Sequence, residues 1–409
     1  MRPGLVVAGV VLLAAPAALP AQNGQRQTSA GEYTRYELLG PATGKFHILY
    51  EVWATTPGAR YYFNPIRKGS VASGEAVFDK ATGAPLKFTE VDGPTAQASG
   101  LAGADTGAHY IRVELPRPVP PGGVSRILIE KTYYDPKSYY TSGDTLIFTR
   151  SLGIKRNAVV LPPGYELVSS NVPSQVLSES DARIFVSFIN PGPDAAPLVI
   201  KARPAPILTQ FAIQLPDTLQ RRLGERATQT REIVYYLQQP ETHAFDLYHD
   251  YTESRIGVDK YLNVVRAGST VSNTSALNLD TGDKLETKTL KADAITAAKL
   301  DIGEPVTPQS TVVVIPFPSV TAGHSIRLRI SETYTDAERY RSYGNVLVWD
   351  RSFGRPVNAV VLPAGWILSH SSIPATVSTL EDGRVRLDFV NPRPDEIQVL
   401  IVARRRAAQ

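Results

Sequence analysis

The hexapeptide Asn-Ala-Val-Val-Leu-Pro occurs twice, at Asn157–Pro162 and Asn358–Pro363, 201 positions apart, and a glycine follows each copy at Gly164 and Gly365. The agreement extends well beyond the phrase. Aligning Lys131–Arg203 with Glu332–Arg404 at the same offset of 201 makes about 30 of 73 positions identical without a gap. Tyr133 falls on Tyr334, Arg150 on Arg351, Pro173 on Pro374 and Asn190-Pro191 on Asn391-Pro392. Upstream the match weakens and the offset becomes 199. There Phe46, Ile48, Tyr50 and Val52 fall on Phe245, Leu247, His249 and Tyr251, and Thr82-Gly83 on Thr281-Gly282. A tandem duplication on this scale requires two homologous folding units.

The repeated phrase reads as a short buried strand running into a turn, because proline has no N–H to give a sheet ladder. Other segments alternate with period two. Phe46, Ile48, Tyr50 and Val52 share one face, as do Ile184, Val186 and Phe188. In the second copy Val385, Leu387 and Phe389 alternate with Arg384, Arg386 and Asp388, the pattern of a sheet wet on one side. Ala81-Thr82-Gly83 predicts a hairpin between Ala76–Asp79 and Leu86–Val91, and the small residues of 96–107 predict a loop. Thirty Gly, 32 Pro and 19 Tyr suit a turn-rich β protein. Crossover helices are missing between the strands, so antiparallel pairing is expected. Within the repeats, only Lys288–Leu300 has the composition of a helical turn.

The expected fold is therefore all-β, with two tandem antiparallel β-sandwiches, immunoglobulin-like or larger, joined by a short helix. The boundaries read as a leader over 1–21, a flexible lead-in over 22–32, a first repeat over 33–204, a linker over 205–230 and a second repeat over 231–406. Asp217 and Gln220 form a capping-box pair for the linker helix, with Leu219 and Leu223 on one face. At about 170 residues, each repeat is either one large sandwich or two small ones fused.

Arg2, the apolar run 5–15 and the Ala21-Gln22 junction have the form of a secretory leader. The run is too short to span a bilayer, so the mature chain is expected to be exported, periplasmic or extracellular, without a transmembrane segment. Cysteine is absent, which excludes disulfides and a lipidated cysteine. A net charge of +4, with no dense basic run before Arg404–Arg406, argues against a nucleic-acid partner.

No HExxH, phosphate loop or G-x-S-x-G is present, so no catalytic residue, metal site or cofactor is expected. His243 and His249 lie six apart, on one face if on a strand, but lack a third ligand. The shared R-S-[LF]-G phrase places Arg150 and Arg351 either on an exposed knuckle facing an anionic partner or in a turn where each pairs with Asp135 or Asp336. Tyr134, Tyr139 and Tyr140 cluster in the first copy, and Tyr340, Tyr343 and Trp349 in the second. Exposed, these aromatics suit sugar rings or protein partners; buried, they are inter-strand packing. The candidate binding set is these six with Arg150 and Arg351. It fits an exported, non-enzymatic binding or scaffold module of the cell envelope, its partner a polysaccharide or an envelope protein. Two alternatives are a hydrolase using His243, His249 and Asp250 in the cleft between repeats, and an obligate subunit of a larger complex.

The stretch Arg150–Val176, with its twin Arg351–Val377, runs from the repeated phrase through a Gly-aromatic pair to a Ser-rich turn and Pro. It resembles the non-catalytic N-terminal β-sandwich of M1-type metallo-aminopeptidases. The resemblance implies a duplicated β-sandwich accessory module without the zinc domain, and it carries over no catalytic residue.

Overall fold

The structure is a computed structural model that describes residues 26–205, 216 and 224–406. The leader over 1–21 and the linker helix around Asp217 lie outside the described residues. Each repeat is one large sandwich. In the first, a seven-stranded sheet runs in the order Gln175–Ser178, Ile184–Ile189, Arg156–Val160, Ser29–Leu38, Lys45–Ala54, Ser125–Tyr134, Val71–Asp79. Two smaller sheets lie against one face of it, one of four strands and one of three. A single core joins all three sheets through residues such as Ile129, Val113 and Phe148. The second repeat has the same order, with the two-residue strand Lys284–Leu285 added at one edge.

The repeated phrase departs from the antiparallel expectation. Arg156–Val160 pairs in parallel with Ser29–Leu38, Tyr33 opposite Arg156, and Val357–Val361 pairs in parallel with Glu232–Leu237. The first strand of each repeat is thus closed against a strand more than a hundred residues downstream. The phrase is covered on both faces, which explains its unbroken apolar run. Val159 and Leu161 enter the main core, while Ala158 and Val160 pack beneath Tyr33, Phe185 and Ala227.

Three further expectations are corrected. The lead-in is already sheet by Ser29, because the Gln27 amide bonds both backbone groups of Phe63 and Thr28 N donates to Thr56 Oγ1 at 2.8 Å. Only glycine fits at Gly31, where a Cβ would lie 2.1 Å from the Trp53 ring. The hairpin turn at Ala81–Gly83 forms, but its return is a single bridge from Phe78 to Pro85. Proline stops the ladder, and Phe88–Asp92 leaves to join the three-stranded sheet. The expected loop over 96–107 begins inside the helix Gly93–Ala98, capped by Asp92 accepting from Thr95 N at 2.8 Å. The helical turn expected within Lys288–Leu300 is present as Ala292–Ala297.

The repeats meet through a near-twofold exchange of turns. Val124 N donates to Leu279 O at 2.7 Å, and its counterpart Ser325 N donates to Ala81 O at 3.0 Å. Arg126 reaches across to form a buried two-pronged pair with Asp280, Nε to Oδ1 at 2.6 Å and Nη2 to Oδ2 at 2.8 Å. Its counterpart Arg327, fully buried, stacks 4.1 Å over the Trp53 ring of the first repeat.

Candidate functional site

The candidate binding set divides by exposure. Tyr139 and Tyr340 are buried, their hydroxyls donating to the backbone carbonyls of Leu39 and Gln238. Trp349 is buried edge-on against Tyr235 at 5.2 Å. Arg150 and Arg351 are interior too. Their Nη1 atoms reach Asp135 at 3.0 Å and Asp336 at 3.2 Å, and each guanidinium lies over a triad of aromatic rings. These five residues are corrected from surface to core. The strand period places them inward, and the Arg–Asp pairs are the second of the two readings the phrase allows. Tyr134, Tyr140 and Tyr343 remain exposed, at 45%, 38% and 59%.

The proposed hydrolase set is not brought together. His243 sits in a left-handed turn at φ 54°, where the first repeat has Gly44, and its Nδ1 donates to Tyr340 O at 2.8 Å. Asp250 faces the other side of its strand and pairs with Arg329 at 2.8 Å. His249 faces the core of the second repeat at the position of Tyr50 in the first, while Asp250, equally buried, points away from it. Among the described residues, no three His, Cys, Asp or Glu side chains gather as metal ligands. No helix among them is long and apolar enough to cross a membrane.

His249 instead lines a cavity of about 210 Å³ inside the second repeat, where the three sheets meet. Arg355 Nη2 lies 2.7 Å from His249 Nδ1. A guanidinium can only donate, so Nδ1 accepts and the ring proton sits on Nε2. Burial, then the charges of Arg355 and Arg231, hold this imidazole neutral, well below its ordinary range. Nε2 is buried with no protein partner, as is Nε of Arg351, another cavity-lining side chain. Arg266 and Glu396 stand at the mouth, 3.8 Å apart, and Ser352 accepts from Arg266 at 3.0 Å while donating to Glu396.

On the floor, Glu332 is the diagonal neighbour of His249, opposite Leu247. Both its oxygens accept from the Asn263 amide, at 2.9 and 2.8 Å, and burial pushes the carboxyl up to about 7. The first repeat has Lys131 at this position and Asn64 at that of Asn263. There the amide presents its oxygen, and Lys131 donates to it. Burial, reinforced by Arg150, brings that ammonium down to about 7. The two repeats thus carry opposite buried charges on one framework. Sequence reasoning missed this pair, although a signal was present: a charged residue at an inward position, between Ile129 and Tyr133 and again between Ile330 and Tyr334.

No protein-family model matches the sequence, and no curated protein matches it. Solved structures similar to it include a two-domain M1 zinc metallopeptidase bound to L-arginine, at 11% identity and a TM-score of 0.30, over 44% of each chain. An M1 zinc metallopeptidase from Deinococcus radiodurans matches at 13% identity and a TM-score of 0.28, over 44% of this chain and 43% of that one. A collagen adhesin from S. aureus matches at 10% identity and a TM-score of 0.16, over 81% and 85%. The chain spans about 44% of the length of the metallopeptidase it matches first. The two metallopeptidases are of the M1 family that Arg150–Val176 resembles, the adhesin is not, and none of these likenesses bears on activity.

Proposed function

We propose that this chain is an exported, non-enzymatic two-repeat module that binds a ligand in the cell envelope, the second repeat holding the ligand and the first buttressing it. The observation behind this reading is the asymmetry of the duplication. On one shared framework, the first repeat fills the space with Tyr50, whose hydroxyl bonds Tyr62 at 3.2 Å, whereas the second places His249 and Arg355 around a cavity. The inter-repeat exchange of turns supports the buttressing role, because it locks the second repeat against a fixed partner.

Export is tested by fractionating cells that express the full chain; retention of the unprocessed chain in the cytoplasm would refute it. Binding is tested by thermal shift against oligosaccharides, cell-wall fragments and small acids. A ligand at 100 times its dissociation constant should add about 2.7 kcal/mol. A glycan hit would direct attention to Tyr134, Tyr140 and Tyr343. Turnover of a peptide, ester or glycan that disappears on a single side-chain change would overturn the non-enzymatic reading.

A further inference from the structure

We infer that the first repeat closes an isopeptide bond between Lys131 and Asn64, formed by the chain on itself with Glu75 as proton carrier and ammonia as leaving group. The inference is independent of any ligand and goes beyond the binding-module reading. Lys131 lies on Ser125–Tyr134 in the seven-stranded sheet, and Asn64 on Tyr61–Ile66 in the three-stranded sheet that packs against it. Both residues are buried, at 4% and 7% exposure, and Nζ of Lys131 is in hydrogen-bond contact with Oδ1 of Asn64. Cγ of Asn64 is one C–O bond, about 1.2 Å, from that oxygen, so the amine stands within attack range of the amide carbon. A protonated amine has no lone pair to attack with. Burial, then the charge of Arg150, brings this ammonium down to about 7, so neutral amine is present at ordinary pH. The ring of Tyr133, itself buried, lies 5.0 Å from Nζ and forms one wall of the site.

The carboxylate comes from the bulge beside Lys131. Ser73 pairs with Thr132 and Ala76 with Glu130, so Gly74 and Glu75 together stand across the ladder from Lys131. Adjacent strands lie about 5 Å apart, and Glu75 is the carboxylate whose charge acts on Lys131. In the reaction the Lys131 lone pair forms the Nζ–Cγ bond, and the C=O pair moves onto Oδ1 as a charge that nearby Arg150 favours. Glu75 takes a proton from Nζ and delivers it to Nδ2. The Oδ1 pair re-forms the carbonyl, the Cγ–Nδ2 bond breaks and ammonia leaves. An amine and a primary amide thus give a secondary amide and ammonia, with nothing oxidised or reduced. Pro65 keeps the amide available, because the competing attack on an asparagine Cγ comes from the following backbone N–H, and proline has none. The second repeat is the internal control. It keeps the amide as Asn263 but has Glu332 for Lys131 and Thr274 for Glu75, so it holds neither the nucleophile nor the proton carrier. In a chain without cysteine, the bond supplies the covalent tie between sheets that a disulfide would otherwise give.

The test is a tryptic digest of the purified full chain, read by mass spectrometry. The expected product is a branched peptide joining residues 61–67 to residues 127–137, lighter by one ammonia than the two together and uncut after Lys131. E75Q keeps the amine and the amide but loses the proton carrier, so closure slowed at least about a hundredfold should leave most of it unlinked. A tie across the 67 positions from Asn64 to Lys131 restricts the unfolded chain, so E75Q should also melt roughly 10 °C below the native chain. The linked amide does not titrate, so the pH dependence of a free Lys131, and its loss in Lys131→Met, are read against E75Q. Linear peptides that end at Lys131 or carry an unmodified Asn64, persisting after incubation at pH 9 where the amine is neutral, overturn the bond. Ammonia lost elsewhere, as by cyclisation of an N-terminal Gln22, leaves those linear peptides in place and overturns it equally. Full closure in E75Q overturns the role of Glu75. The digest of the native chain decides the bond whether or not E75Q folds, and neither result touches the binding-module reading.

Discussion

Lys131 and Glu332 show how one framework residue accommodates either charge. Asparagine carries a donor and an acceptor on one amide, so Asn64 turns its oxygen to an ammonium and Asn263 its nitrogen to a carboxylate. Each partner is nonetheless desolvated, and each leaves a mark on the pH dependence of stability. The carboxyl of Glu332 is raised from 4.5 to about 7, so its contribution is fully present below pH 4.5 and is lost as pH rises through 7. The loss is about 3 kcal/mol. Lys131 is lowered from 10.5 to about 7, so its contribution is present above pH 10.5 and is lost as pH falls through 7, by roughly 5 kcal/mol. The two effects coincide near neutrality, where both ionised forms are least welcome. Glu332→Gln should flatten the stability profile between about pH 4.5 and 7, and Lys131→Met the profile between about pH 7 and 10.5. Urea denaturation at pH 5, 7 and 9 checks both; unaltered slopes would mean that neither group is desolvated to this degree.

At the scale of elements, the repeated strand and the bulged strand carry the sharpest expectations. Val360 is fully buried in a strand covered on both faces, so Val360→Asp should unfold the second repeat at a cost of several kcal/mol. A soluble variant with native circular dichroism would contradict the placement of that strand. The strand beside Ser125–Tyr134 slips register between Ser73 and Ala76, and its twin slips between Ser272 and Ser275. Gly74, at φ 64°, and Asn273, at φ 52°, occupy the two bulges. These are the residue types that enter the left-handed region most readily. A Cβ at Gly74 would meet nothing within 4 Å, so a substitution there acts through the backbone alone. Gly74→Val should cost about 1–2 kcal/mol by thermal unfolding, and Gly74→Asn, which copies the second repeat, distinctly less. Equal costs would show that φ is not the determinant.

For the whole molecule, the decisive contact is Arg126 with Asp280. Both side chains are almost fully buried, at 3% and 6% exposure, and Arg126 also donates to Ser325. Removing one partner strands a charge in the interface, so Arg126→Ala should cost about 3–5 kcal/mol. It should also split one calorimetric transition into two, as the repeats cease to unfold together. A single transition in the variant would mean that the turn exchange alone couples them. This contact could not be read from the sequence. Arg126 and Arg327 align as equivalent residues, yet one meets Asp280 and the other the Trp53 ring, because the position of Asp280 is Ala81 in the first repeat. Duplication, strand period and turn chemistry were legible from the sequence, since each is a property of residues near one another in the chain. Alternation of Ile184, Val186 and Phe188 sets a face, and Pro162 and Gly164 end a strand, whatever lies opposite. The parallel closure of Arg156–Val160 on Ser29–Leu38, the burial of Arg150 and Arg351 beneath aromatic rings, and the cavity around His249 were settled only by the tertiary structure. Period two specifies two faces but does not say which is covered or by what. Those answers depend on pairings across more than a hundred residues, where packing and desolvation rather than local propensity determine the outcome.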